Sequence, residues 1–303
     1  MGFRSGFVSI IGRPNAGKST LLNALVGEKV AIVTDKPQTT RTRIQGMVNV
    51  KAERGRPAGQ IVFIDTPGVH KPDSRLNRKM MQEIHAALES RDIILMIVDV
   101  TEKFGPADQH VLDLVKRAGG TTFLLLNKID KLPKEKLLPL MEHYSKLHEF
   151  EEIIPISATK KQGIDTLLDK IIRALPEGPR YFPEDQFTDL PEKFIAAEII
   201  REKILLKTGK ELPYATAVMV ERFEDSERLI RIAAAIYCER EGQKAILIGK
   251  RGQKLKEIGT AARMDLESLL GKKVFLELFV KVKVGWRESP AFVEELDWRN
   301  QIS

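Results

Sequence analysis

The octapeptide Gly12-Arg-Pro-Asn-Ala-Gly-Lys-Ser19 constrains this chain more than any other feature of its sequence. It follows a short apolar run and opens a segment whose apolar residues have helical spacing. The Gly-x4-Gly-Lys-Ser spacing is typical of phosphate-binding loops, in which glycines let backbone amides turn towards phosphates at a helix N-terminus. We expect Lys18 to reach the β and γ phosphates and the Ser19 hydroxyl to bind Mg²⁺ directly. The predicted nucleotide contacts of this loop come from Asn15, Ala16, Gly17, Lys18, Ser19 and Thr20.

A second short motif, Asp65-Thr-Pro-Gly68, ends a later apolar run. Its position predicts a carboxylate at the carboxyl edge of a sheet, close to the phosphates. We expect Asp65 to hold Mg²⁺ through a water molecule and the amide of Gly68 to contact the γ-phosphate.

The motif Asn127-Lys-Ile-Asp130 predicts that the base is guanine. The Asp130 carboxylate can accept two hydrogen bonds, from N1-H and the 2-amino group of guanine, and adenine lacks this pair of donors. Asn127 should tie the base loop together, and the stem of Lys128 should cover the base. The backbone of Ser157 and Ala158, after the next predicted strand, should donate to the guanine oxygen.

The first part of the chain alternates β-branched runs with amphipathic helical patterns, which indicates an α/β domain with a mostly parallel, doubly wound sheet. Strands are predicted at 7–11, 44–50, 61–65, 93–99, 123–127 and 153–157, and helices at 18–25, 77–90, 107–118, 134–147 and 164–175. Three prolines and a glycine within 175–183 oppose regular structure. We therefore predict a P-loop domain at 1–175 and a Pro-rich linker at 176–190.

The remaining sequence predicts an α+β domain at 191–285 with the order α-β-β-α-α-β, followed by a helical segment at 286–303. Gly249-Lys-Arg-Gly252 joins a short apolar helix to a longer one, and residues 244–283 contain ten basic and four acidic residues. A GXXG turn lets a nucleic-acid backbone approach, and an adjoining apolar groove takes unpaired bases. We predict a KH-type single-strand RNA-binding domain rather than a helical hairpin with a solvated charged face. The predicted RNA contacts are Gly249, Lys250, Arg251, Gly252 and Lys254.

The motifs GRPNAGKS, DTPG, NKID and SA occur in the order found in the translation-factor class of P-loop GTPases, which residues 1–175 resemble. With QTTR, SAT and the KH-type domain, the whole chain resembles the bacterial Era family of ribosome-assembly GTPases. This resemblance implies GTP/GDP and Mg²⁺ as cofactors, binding of the 3′ end of 16S rRNA, and a role in maturing the small (30S) ribosomal subunit. It also favours Thr40 over Thr39 as a second direct Mg²⁺ ligand. The predicted catalytic residues are thus Lys18, Thr40 and Gly68.

Val69 follows the DTPG motif, where small signalling GTPases carry a glutamine that orients the attacking water. We therefore expect slow GTP hydrolysis in the absence of RNA, a ribosomal partner or K⁺. Related GTPases that lack this glutamine and have asparagine in the P-loop recruit K⁺, and Asn15 matches that position. We interpret His70 as a solvated switch residue rather than a replacement base.

Two-state reasoning predicts that GTP orders the loop containing Thr40 and the loop after Gly68, and that these conformations favour one arrangement of the KH domain. Hydrolysis would then release the RNA.

Two alternative functions remain. One is a constitutive RNA-binding scaffold whose nucleotide is structural, and the other is a GTPase held at the membrane surface by basic residues of the first domain.

The composition is that of an ordinary globular protein, with 43% hydrophobic and 30% charged residues. Apolar runs such as 93–98 are too short for a bilayer span, which needs about 20 residues. We expect a monomer in the cytoplasm that is partly peripheral at the inner membrane. Its net charge of +7 favours a nucleic-acid partner, which we expect to be RNA rather than DNA.

Cys238 is expected to be a buried, inert thiol. The five histidines lack metal-ligand spacing, so no structural zinc is predicted.

Overall fold

The computed structural model describes residues 2–36, 38–53, 55–69, 73–209 and 212–301. These residues form two compact units. The described parts of 1–31, 40–71 and 80–189 make up the first unit, and those of 32–39, 72–79 and 190–303 make up the second. Two short segments from the amino-terminal half, one in the loop before Thr40 and one that includes the start of the helix Arg75–Glu89, therefore belong to the same unit as the carboxyl-terminal domain.

The first unit is built on a six-stranded sheet with the order β2-β3-β1-β4-β5-β6. Its strands are β1 (Arg4–Ile11), β2 (Ile44–Val50), β3 (Gly59–Asp65), β4 (Ile93–Asp99), β5 (Thr121–Asn127) and β6 (Glu152–Ile156). Only the β2–β3 pair is antiparallel among the pairs of this sheet. Every residue of β3 and β4 is buried, as expected for central strands that are covered on both faces.

Helices pack on this sheet and connect its parallel strands. They are α1 (Lys18–Val26), α2 (Arg75–Glu89), α3 (Pro106–Ala118), α4 (Leu137–Ser145) and α5 (Ile164–Ala174). One cluster of buried side chains joins β4 and β5 to α3 and includes Met96, Val111, Val115 and Leu124. Because ligands of open α/β sheets bind at the carboxyl ends of the strands, this core positions the P-loop, Asp65, Asn127 and Ser157 at one edge.

The second unit contains a three-stranded sheet with the order β7-β8-β9. Its elements are α6 (Glu192–Lys207), α7 (Leu212–Ala215), β7 (Ala217–Asp225), β8 (Leu229–Cys238), α8 (Glu241–Ile248), α9 (Gln253–Leu270), β9 (Lys273–Val282) and α10 (Pro290–Glu295). β8 pairs antiparallel with β7 and parallel with β9. Cys238 is buried, and its thiol lies within 3.7 Å of the Arg240 and Lys281 carbonyl oxygens.

Several elements differ from the sequence prediction at their ends; β1 starts at Arg4 rather than at 7, and β3 starts at Gly59 rather than at 61. The segment predicted as a helix at 134–147 begins with a 3₁₀ turn at Lys134–Lys136, and the α-helix covers only Leu137–Ser145. The apolar residues at 245–248 predict a short helix before the GXXG turn, and α8 starts four residues earlier, at Glu241. The Gln243 side chain caps this start by accepting from the amides of Glu239 and Arg240 at 2.9 and 3.1 Å. In the carboxyl-terminal segment only α10 is α-helical, and 3₁₀ turns at Trp286–Glu288 and Trp298–Gln301 flank it.

Candidate nucleotide-binding site and GXXG turn

The P-loop has the backbone conformation that its glycines permit. Gly17 lies in the left-handed region, with φ of +101°, immediately before α1 begins at Lys18. A side chain there would collide with the Asn127 amide group, which explains why this position has none. The Lys18 side chain is 6% exposed, and its Nζ donates to the carbonyl oxygens of Gly12 and Arg13, both at 3.0 Å. The lysine is therefore held inside the loop that would surround the phosphates.

Three oxygen-bearing side chains meet beside the P-loop. The Ser19 Oγ donates to Asp65 Oδ2 at 2.6 Å and lies 2.8 Å from Thr40 Oγ1. Thr40 Oγ1 donates to the same Asp65 oxygen at 3.3 Å. The other carboxylate oxygen, Asp65 Oδ1, is buried without a hydrogen-bond partner. Hard oxygen donors around an unsatisfied buried carboxylate suit Mg²⁺, so these residues fit the predicted ion.

Burial disturbs both charged groups of this site. Burial lowers the pKa of Lys18 to about 8, although the nearby charge of Asp65 acts to raise it. Burial also raises the pKa of Asp65 to about 6, although the charge of Lys18 and the hydrogen bonds from Ser19 and Thr40 act to lower it. Both shifts mean that charge is costly here without a ligand. A polyphosphate with a divalent cation supplies the missing opposite charges, so the site is electrostatically prepared for both.

The base-recognition residues form a connected network. The Asn127 amide donates to Ala16 O at 2.8 Å, and its oxygen accepts from the Ala158 amide at 3.0 Å. The Ser157 hydroxyl donates to Asp130 Oδ1 at 2.6 Å, which orients the carboxylate. Because Ala158 N–H already donates to Asn127, a guanine oxygen must share or replace that bond.

Sequence reasoning missed Asp99, which ends β4. Lys128 Nζ lies 2.5 Å from Asp99 Oδ2 and donates to Asn15 O at 3.0 Å, so it ties the base loop to both β4 and the P-loop. Partial burial opposes ionisation of Asp99, but the bonds from Lys128 and Thr101 prevail and lower its pKa. The signal that could have found it is its position, since Asp99 ends a parallel strand at the same edge as Asp65 and Asn127.

Val69 occupies the position of the missing glutamine and is buried, with its amide 3.5 Å from the Gly12 carbonyl oxygen. Its aliphatic side chain cannot orient a water molecule by hydrogen bonding. Gly68 lies against Pro14 of the P-loop, so close that an added Cβ would be 2.9 Å from Pro14 Cγ. His70 lies outside the described residues.

The GXXG turn in the second unit has the open backbone predicted for it. Gly249 and Gly252 have φ of +70° and +77°, Arg251 has φ of +54°, and Lys250–Gly252 form a 3₁₀ turn between α8 and α9. Lys254 follows on the first turn of α9, with its Nζ 3.5 Å from Glu257 Oε2. A groove of about 390 Å³ adjoins the turn. It is lined by Gly252, Leu255, Lys256, Gly259, Thr260, Arg263, Leu276 and Leu278. Apolar walls with basic residues at the rim suit unpaired bases on a phosphate backbone.

Comparison with known proteins places these sites in one family. The family described as 50S ribosome-binding GTPase matches residues 7–128, and the KH domain family matches residues 211–287. GTPase Era of Geobacter metallireducens is 51% identical over 298 residues, which cover 98% of each chain. GTPase Era of Syntrophus aciditrophicus is 50% identical over 298 residues, 98% of this chain and 95% of the relative. The chain belongs to the GTPase Era family.

Solved Era structures share the fold over nearly the whole chain. A variant of Aquifex aeolicus Era bound to GDP and AlF4⁻ gives a TM-score of 0.93 at 41% identity, covering 98% of this chain and 99% of that one. An Era complex with MgGDPNP and nucleotides 1506–1542 of 16S ribosomal RNA gives the same values. Era membership confirms the predicted GTPase class and the predicted P-loop domain followed by a KH domain. Within the described residues, no helix combines the length and apolarity that a membrane crossing requires.

Proposed function

We propose that this chain is a GTP-hydrolysing switch that binds the 3′ end of 16S rRNA through its KH domain and assists maturation of the small (30S) ribosomal subunit. The full-length likeness to an Era complex that holds MgGDPNP and nucleotides 1506–1542 of 16S rRNA carries the proposal. The GXXG turn and its groove support it, because they offer basic residues and apolar walls to single-stranded RNA.

The nucleotide site can promote hydrolysis by position and charge. Lys18 would bind the β and γ phosphate oxygens, and the Gly68 amide would donate to the γ-phosphate as its bond to the bridging oxygen breaks. Ser19 and Thr40 would hold Mg²⁺ directly and Asp65 through water, and the bound ion would neutralise phosphate charge. Because Val69 supplies no group that orients water, we expect slow turnover by the chain alone.

Two segments that flank the nucleotide site in the sequence support the switch proposal, because they belong to the same unit as the KH domain. Residues 32–39 precede Thr40, residues 72–79 follow the DTPG motif, and both segments belong to the second unit. Within that unit, Lys79 Nζ lies 3.1 Å from Asp297 Oδ2, and the Arg75 amide donates to Glu288 Oε2 at 3.3 Å. Segments that a γ-phosphate would order therefore share a packing unit with the RNA-binding elements.

Linkage between the two ligands tests this function. We expect GDPNP to change the affinity for an RNA containing the 16S 3′ end, and the RNA to change GDPNP affinity by the same factor. Fluorescence anisotropy with labelled RNA and labelled nucleotide measures both sides of the cycle. Equal RNA affinity with GDP and GDPNP would contradict the proposal that this protein is a switch. If, in addition, Lys18→Ala failed to abolish phosphate release, the scaffold alternative would replace it.

We further propose Asn15 as a K⁺ ligand near the β and γ phosphates. Asn15 has a left-handed backbone, with φ of +61°, inside the P-loop. Turnover should rise several-fold when K⁺ replaces Na⁺, and Asn15→Ala should remove the difference between the two buffers. Equal rates of phosphate release in K⁺ and Na⁺ for the unchanged protein would contradict this assignment.

We propose a cytoplasmic location, which the proposed ribosomal RNA partner supports. A peripheral contact with the inner membrane would draw on the basic residues of the first domain, and co-sedimentation with anionic vesicles would detect it.

A further inference from the structure

The loop that precedes Thr40 is held by side chains of α6, within the second unit. Arg201 is 2% exposed, and its guanidinium donates to the carbonyl oxygens of Gln38, at 3.3 Å, and Thr39. The same guanidinium binds both carboxylate oxygens of Glu198, at 2.7 and 2.5 Å. The two backbone oxygens are the last two before Thr40 in the chain.

A second side chain of α6 holds the other end of this loop. Glu202, 3% exposed, accepts from the Val33 amide at 3.0 Å through Oε1. Its other carboxylate oxygen lies 3.0 Å from Lys203 Nζ, which in turn lies 2.5 Å from Asp265 on α9. α9 is the helix that follows the GXXG turn. The loop is thus fixed at both ends by side chains of α6, and at the Val33 end the contact continues through Lys203 to α9.

The chemistry of Arg201 fits a positioning task better than a packing task. A buried guanidinium is costly unless its donors are satisfied, and α6 buries its apolar neighbours Ile200 and Ile204 without such a cost. The planar fork of arginine donates in several fixed directions at once. Here it fixes two successive peptide carbonyls against a carboxylate, which restrains the backbone orientation of the residue that follows.

We propose that Arg201 is a positioning residue for the nucleotide site, acting from α6 by fixing the backbone that presents the Thr40 hydroxyl to Ser19 and Asp65. This inference rests on the proposed role of Thr40 as a Mg²⁺ ligand. Gln38 supports the restraint because its side-chain amide donates to Asn77 Oδ1 at 2.8 Å in the segment after DTPG.

The nucleotide dependence of this role separates it from simple stabilisation. Thr40 is needed when the γ-phosphate is present, whereas Lys18, Ser19 and the base residues serve GTP and GDP alike. Loss of Arg201 should therefore weaken binding of a GTP analogue much more than binding of GDP. A purely structural arginine would affect the two nucleotides equally.

The test compares the full-length protein with Arg201→Met/Glu198→Gln, in which the second change avoids leaving a partly buried carboxylate without its partner. Affinities for fluorescent GDPNP and GDP are measured with Mg²⁺. We expect GDPNP affinity to fall about tenfold, since bonds from a charged donor are lost, and GDP affinity to stay within about twofold. Arg201→Lys, which keeps the charge and can reach one carbonyl, should give an intermediate loss.

The nucleotide-free chain provides a second readout. Trypsin cleavage after Arg41 should be several-fold faster in Arg201→Met/Glu198→Gln than in the unchanged protein, because the loop has lost its restraint. The matched control is Arg222→Met/Glu224→Gln, which removes another arginine–glutamate pair, bonded at 2.6 and 2.7 Å in the exposed second half of β7. The control should change neither the cleavage rate nor the ratio of the two nucleotide affinities.

Thr40→Ala distinguishes failure of this inference from failure of the proposed site. If Thr40→Ala lowers the GDPNP-to-GDP affinity ratio but neither Arg201 variant does, the positioning role is wrong and the site stands. Equal loss of both nucleotides in the Arg201 variants also overturns it, as does an unchanged cleavage rate. If Thr40→Ala leaves the ratio unchanged, the ligand assignment itself fails and the inference falls with it.

Discussion

Replacing Asp130 by asparagine should transfer the base preference of this protein from guanine to xanthine. The Asp130 carboxylate, oriented by the Ser157 hydroxyl at 2.6 Å, offers two acceptors to the N1-H and 2-amino donors of guanine. Asparagine offers one acceptor and one donor, which match N1-H and the C2 oxygen of xanthine. Two donors or two acceptors that face each other across the base contact are costly, so GTP affinity should fall by about a hundredfold or more while XTP affinity rises.

Competition of GTP and XTP against a fluorescent nucleotide measures both affinities of Asp130→Asn. Asp169→Asn is the matched control, because Asp169 pairs with Arg173 on the exposed face of α5, away from the network of Asn127 and Ala158. It should leave both affinities unchanged. Equal loss of GTP and XTP in Asp130→Asn would show that this carboxylate supports the loop and does not read the base.

The sequence predicted the parts of this protein that depend on local patterns. The apolar run at 93–98 predicted a strand at 93–99, and β4 has those bounds with every residue buried. The motifs at Asp65 and Asn127 could be placed at one edge because parallel strands carry their carboxyl ends together. Each of these predictions used short-range periodicity or a rule that holds for any parallel sheet.

Features that depend on contacts between distant parts of the chain were not predictable in this way. Arg201 lies in an amphipathic helical pattern, where a charged residue is normally exposed, but its partners Gln38 and Thr39 lie more than 160 positions earlier. Asp99 likewise acquires its role only through Lys128, which reaches it from the next strand. The end of β4 could mark Asp99 as a candidate, but no local pattern reports which side chain pairs with it, so only the three-dimensional structure shows these pairings.

Reversing both charges of the GXXG turn, as Lys250→Asp/Arg251→Asp, should remove RNA binding and leave nucleotide binding intact. Backbone amides and two cations of a turn beside a groove form the predicted phosphate contact, and the change replaces attraction by repulsion at both positions. RNA affinity should fall by about a hundredfold or more at low salt. For any residual binding, the slope of log affinity against log salt concentration should become shallower by the amount that corresponds to about two phosphate contacts. Aspartate tolerates the left-handed backbone that Arg251 adopts, with φ of +54°, so the turn should still form.

The control places the same charge change elsewhere, as Lys134→Asp/Lys136→Asp in the exposed 3₁₀ turn of the first unit. Anisotropy with an RNA containing the 16S 3′ end measures affinity, and crosslinking in cells followed by sequencing identifies the RNA that is bound. Peaks at the 3′ end of 16S rRNA should be present in the control and absent in the GXXG variant. Equal loss in both would mean that net charge alone attracts the RNA. Unchanged peaks in the GXXG variant would contradict the proposed role of Lys250 and Arg251 as phosphate contacts, and with it the proposal that the turn guides RNA to the adjoining groove between α9 and β9.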